Sequence, residues 1–194
     1  MKVKILDKYI CIEESIVIIL FVCELSSKAR QFLNNYFTCF LFVIFHELAH
    51  IIVLLLFNYE IRRINVRISG INAVIKENVS GLKGILIYLA GPISNIILAA
   101  MFRNITMVFE INIALAIINL VPIYPLDGYN ILKTILTLFT SEIKTKKTIK
   151  KIQNISEILL LILSILMCFK YYNFSLFLLL VYIKTNSLQP LKSL

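Results

Sequence analysis

Residues Leu41–Phe57 read LFVIFHELAHIIVLLLF, apolar throughout except for His46, Glu47 and His50. Crossing a ~30 Å hydrocarbon core takes about 20 residues, so this run is most of a membrane span. A lipid-facing helix has no use for ionisable side chains. Each costs about 2.5–3.5 kcal/mol at mid-bilayer on insertion scales, and such groups mark function. These three therefore point to a polar site built inside the membrane.

The rest of the chain agrees with a membrane setting. Of 194 residues, 59% are hydrophobic and 16% charged, against roughly 25% charged in an ordinary soluble domain. That length and composition predict one integral-membrane domain over residues 1–194, with no separate soluble domain. The net charge of +9 comes from residues scattered through connecting segments, without a basic helix or basic–aromatic interleaving. It therefore speaks for membrane orientation and against direct nucleic-acid binding. Cys11, Cys23, Cys39 and Cys168 form no CxxC pair, which argues against a zinc ribbon or a disulfide framework. The N-terminal MKVKILDKYI leads into an apolar run with no small-residue cleavage site, so an uncleaved first span is expected.

Six apolar segments are expected to be transmembrane helices: Ile10–Leu25, Tyr36–Phe57, Ile85–Phe102, Ile105–Ile123, Ile155–Phe169 and Tyr172–Ile183. The run Tyr129–Phe139 is too short to span and is expected to form a helix at the interface. Assigning alternate connections to opposite sides places sixteen of the twenty Lys and Arg residues on one side. The predicted topology has both termini cytoplasmic. Between the second and third spans, YEIRRINVRISGINAVIKENVSG alternates Ile and Val with polar residues, interrupted by Ser69-Gly70. The period of two predicts a short β-hairpin at the membrane surface, whose edge could hold an extended peptide. The fold class is an all-α polytopic membrane protein carrying that hairpin.

HELAH is H-E-x-x-H. On a helix His46 and His50 lie one turn apart, so both imidazoles share a face and can share a metal, with Glu47 beside them to handle a proton. Both of the chain's histidines are in this motif. A catalytic zinc takes three protein ligands and leaves a fourth position open. No third histidine exists, and Asp7 and Asp127 are the two aspartates. Asp7 lies in the charged N-terminal tail. Asp127 follows Pro122 and Pro125 in NLVPIYPLDG, and non-helical backbone at membrane depth belongs where protein or a water-filled cavity surrounds it. Asp127 is thus the expected third ligand. The topology, derived from charge alone, delivers both halves of the site toward the cytoplasmic side. In LAGPISN, Leu89–Asn95, Ala90, Gly91 and Ser94 allow close helix approach, and Asn95 can hydrogen-bond to a neighbouring helix.

HELAH, AGPISN and NLVPIYPLDG in this order resemble the site-2 protease family of intramembrane zinc metalloproteases, over roughly residues 10–185. The short RRINVRISG hairpin, the six-span layout and the lack of a PDZ insertion resemble the family's sporulation branch. The resemblance implies one Zn2+ per chain on His46, His50 and Asp127, Glu47 as catalytic base, and Asn119 as a substrate-positioning residue. It also implies hydrolysis of a membrane-associated precursor near the cytoplasmic face. In the sporulation branch that precursor is a sigma-factor precursor, the membrane is the one around the forespore, and a membrane inhibitor or regulator is the expected partner. No segment here corresponds to the CBS domain common in that branch, so coupling to ATP does not carry over.

Two other classes use similar residues. A membrane zinc transporter would carry ionisable groups along several spans as a path, whereas here they converge on one site; Glu13, Glu14 and Glu110 sit near predicted span ends. An inactive protease-like scaffold would lack catalytic residues, and none is missing.

Overall fold

The computed structural model describes residues 2–5, 8–12, 27–67, 70–75, 79–172 and 175–188. The chain forms two compact units, Met1–Ile117 and Ile118–Leu194.

The first unit opens with strands β1 (Lys2–Ile5) and β2 (Lys8–Ile12) and continues with helix α1 (Ser27–Leu56). Strands β3 (Ile61–Arg67) and β4 (Gly70–Ile75) follow, then helices α2 (Gly81–Met101) and α3 (Thr106–Leu120), the latter ending in the second unit. The strands form one sheet in the order β1-β2-β3-β4. β3 and β4 pair antiparallel, Arg67 opposite Gly70, with an irregularity between Ile61 and Arg63. The sheet extends beyond a hairpin because β2 pairs in parallel with β3, Ile10 opposite Ile64, and antiparallel with β1.

This sheet corrects the N-terminal end of the expected first span. Ile10–Ile12 belong to β2, where KYICI alternates at the strand period rather than the helical one. The remainder of that expected span, residues 13–26, lies outside the described residues.

α1 and α2 pack against one another through faces that the sequence marks by size. Phe42, His46 and Leu54 are buried along one side of α1, four or eight residues apart. The opposing side of α2 buries Gly84, Ile87, Gly91, Asn95 and Ala99, and small residues at such spacing let backbones approach closely. The outer face of α1 exposes Leu41, Phe45, Leu48, Ile52 and Leu55 at helical spacing. An apolar stripe of that length would be costly in water and is suited to lipid.

The second unit holds the end of α3, then α4 (Asp127–Phe139), α5 (Glu142–Tyr171) and α6 (Ser175–Leu188). α5 corrects a second expectation. Lys144–Lys151 were assigned to a loop but occupy the first turns of a 30-residue helix. Ser141 precedes it in an extended conformation, Glu142 lies in its first turn, and Glu142 and Lys146 are 4.0 Å apart one turn on. An acidic residue at a helix start and an i,i+4 pair both favour helix there.

Among the described residues, three helical segments are long and apolar enough to cross a membrane: Phe37–Leu56, Gly81–Met101 and Glu142–Lys170. α3 is apolar but shorter.

Candidate metal centre

The site in the first unit is built from α1, α2 and α3. His46 and His50 stand one turn apart on α1, their Nε2 atoms 3.2 Å from one another. His46 is fully buried, and His50 partly so. Both rings are anchored from behind. His46 Nδ1 lies 2.5 Å from Asn95 Oδ1, and His50 Nδ1 lies 2.6 Å from the backbone carbonyl of Ile87. Those oxygens accept, so each Nδ1 carries the hydrogen.

This assignment decides what the pair can do. A neutral imidazole has one N–H and one bare nitrogen, so with both Nδ1 atoms donating, both Nε2 atoms present lone pairs. Two lone pairs 3.2 Å apart repel, and a shared cation would relieve that repulsion. A metal-ligating histidine commonly donates its other N–H to a carbonyl or carboxyl oxygen, which fixes its tautomer. The residues present therefore fit a metal ion.

Gly91 completes this half of the site. A Cβ at that position would lie 2.5 Å from His46 Nε2 and 2.6 Å from its Cε1, and closer still to His50 Nε2. Real Cβ contacts do not approach so closely. The missing side chain at position 91 is the space the two imidazole edges occupy. Sequence reasoning assigned Gly91 to helix packing; its closest neighbours are the two histidines. Glu47, next to His46 on α1, is half-buried.

In the second unit, residues 121–126 join the end of α3 to the start of α4 through successive tight turns. Val121 N–H donates to the Ile118 carbonyl, Ile123 to Val121, Leu126 to Ile123 and Tyr129 to Leu126. Pro122 and Pro125 contribute no backbone donor and so end the α3 ladder. The Tyr124–Pro125 peptide is cis, and Ile123 is fully buried. Leu126 is extended and Asp127 opens α4 in its first turn, where the helix dipole favours a carboxylate. Asn119 is half-buried near the end of α3.

Gly128 lies in the first turn of α4 and is needed there for close approach. A Cβ there would come within 2.7 Å of the Val121 carbonyl oxygen and closer to the Leu120 carbonyl. Backbone cannot yield as a side-chain tip can. Gly128→Ala is therefore expected to lower stability by about 1–3 kcal/mol, the usual range for overpacking, and to move the first turn that carries Asp127. A thermal melt checks this, because alanine at an unhindered helical position would raise stability instead.

Two parts of the site were missed in the sequence. Ile87 contributes a backbone carbonyl and leaves no side-chain signal. Asn112 is fully buried in α3 and donates to the Val108 carbonyl at 2.9 Å, while its Oδ1 accepts from Asn95 Nδ2 at 2.9 Å. Its signal was available as an amide between Ile111 and Ile113 in a largely apolar helix.

Comparison with solved structures aligns 94% of this chain with 91% of the site-2 protease from Methanocaldococcus jannaschii, with a TM-score of 0.63 and 22% identity. The fold is that of a site-2 protease. Residues 103–163, which include Asn119 and Asp127, match the model of peptidase family M50. The chain is also 31% identical over 116 residues to a protein of Synechocystis called "Putative zinc metalloprotease". That match takes in half of this chain and 30% of the Synechocystis protein's length. With the site-2 protease fold, the three membrane-length helices identify an integral membrane protein.

Proposed function

We propose that this chain is an intramembrane zinc endopeptidase that cuts a membrane-associated protein precursor near the cytoplasmic face. The observation that carries the proposal is the buried HExxH pair, with both Nδ1–H groups donated away and both Nε2 lone pairs converging. The resemblance to the site-2 proteases makes His46, His50 and Asp127 the proposed ligands of a single zinc ion, which leaves a position open for chemistry. A bound zinc would supply Lewis acidity, polarising the scissile carbonyl and acidifying water. The protein's own work is then proton handling and placement. Glu47 takes the proton of the attacking water and returns it to the leaving amine. Asn119 positions the substrate.

A substrate helix hides its peptide bonds in internal hydrogen bonds, so it must open locally before it is cut. The β4 edge and the broken segment Asn119–Asp127 suit an extended strand. The resemblance to the sporulation branch extends the proposal to a sigma-factor precursor, a membrane inhibitor or regulator, and the membrane surrounding the forespore. Six spans with both termini cytoplasmic complete it. Pairing of β2 with β3 supports that orientation, since it puts Lys8 in the same sheet as Arg62 and Arg63, the residues that charge counting assigns to one side.

Co-expression with the sigma-factor precursor of the same organism tests the reading. Cleavage by the native chain and none by Glu47→Gln is expected. A precursor left intact by the native, zinc-loaded chain would overturn the substrate assignment.

A further inference from the structure

We propose that Asn112 and Asn95 form a directional amide relay that sets the tautomer of His46, holding its Nε2 as a bare lone pair. Asn112 and Asn95 are thus positioning residues for the metal centre. The direction follows from one fixed end. The Val108 carbonyl can only accept, so the Asn112 group facing it is Nδ2, at 2.9 Å. That turns Asn112 Oδ1 toward Asn95, whose Nδ2 donates to it at 2.9 Å. Asn95 Oδ1 is left facing His46, so the hydrogen between them belongs to His46 Nδ1. Both asparagines are completely buried; flipping Asn112 would set like groups against each other at both its contacts, and flipping Asn95 would set two amide oxygens face to face, at the cost of unmade buried hydrogen bonds.

A packing role needs polar residues that satisfy one another. It does not need the chain of donors to end on a metal-ligand imidazole with its acceptor end. The relay spans three helices, from Val108 and Asn112 on α3 through Asn95 on α2 to His46 on α1. His50 gets the same tautomer by a separate route, the Ile87 carbonyl. The two histidines therefore differ in what they depend on. Disrupting the relay acts on His46 and spares His50.

That difference is measurable because the chain has two histidines, one on each anchor. The test is 15N NMR of histidine-labelled, metal-free protein in micelles, at a pH above the imidazole titration range. In the native chain both rings are expected to show the proton on Nδ1. In Asn112→Leu, which keeps the volume but removes the amide, the His46 ring is expected to redistribute toward Nε2–H. The His50 Nδ1–H signal, held by the Ile87 carbonyl, stays in place and reports that the fold persists, while its Nε2, 3.2 Å from His46 Nε2, shifts as it accepts the new N–H. Zinc affinity of the same variant is expected to fall about 10- to 100-fold, the range for losing an outer hydrogen-bond partner of a ligand. Only this last figure rests on the zinc reading; the tautomer result stands without metal. A native His46 with its proton on Nε2 would overturn the relay, even if Asn112→Leu does not fold. So would a folded Asn112→Leu with the His46 pattern unchanged. Failure of the native chain to bind zinc would count against the metal assignment and leave the relay intact.

Discussion

Gly91→Ala is expected to fold into the membrane yet lose its zinc. Alanine is the better helix former, and at an unhindered position in a helix the change would add roughly 0.5–1 kcal/mol. At position 91 the new methyl would stand 2.5 Å from His46 Nε2, so the imidazoles must leave their places. His46 cannot retreat without breaking its bond to Asn95, nor His50 without breaking its bond to Ile87. Overpacking of this kind costs about 1–3 kcal/mol, a loss the helix pair can absorb. The proposed metal site cannot, because both displaced atoms would be its donors. Displacing both should weaken zinc binding by more than about 100-fold, the upper figure for losing one outer-shell partner. Zinc content and a thermal melt on the same preparation check this. Native zinc affinity in a folded Gly91→Ala protein would show that the imidazole edges do not form the site.

Glu47→Gln is expected to separate binding from chemistry. Glutamine keeps the size of glutamate and can hold hydrogen bonds, but it cannot accept a proton at neutral pH. The proposed zinc donors are His46, His50 and Asp127, so metal content should stay at the native level. Turnover should drop by about 10²–10⁴-fold, the usual contribution of a positioned general base. Stoichiometric zinc with unimpaired cleavage would remove Glu47 from its role. Loss of zinc together with activity would instead make Glu47 part of the metal's environment.

Much of this arrangement could be read from particular residues. HELAH on an apolar run announced a buried polar site because lipid offers no other reason for those groups. The prolines at 122 and 125 announced the end of α3, since neither can donate to a helix ladder. What stayed hidden was information that no single residue carries. Gly91 looks the same whether its neighbour is a leucine or a pair of imidazoles. Asn95 declares a hydrogen bond but not its partner, and the direction of the relay is fixed by a backbone carbonyl at Val108 on a third helix. The β2–β3 pairing joins segments about fifty residues apart, which local alternation cannot foretell. The lysines of residues 144–151 read as loop by charge, although Ser141, Glu142 and the spacing of the charges suit a helix start.

In the proposed reaction, cleavage depends on one metal ion held by this chain. This dependence is tested most directly by stripping the reconstituted protein with a chelator and adding zinc back while scoring cleavage of the precursor in vesicles. No cleavage by the stripped chain is expected, with recovery that levels off at one zinc per chain. Full cleavage by metal-free protein would contradict it.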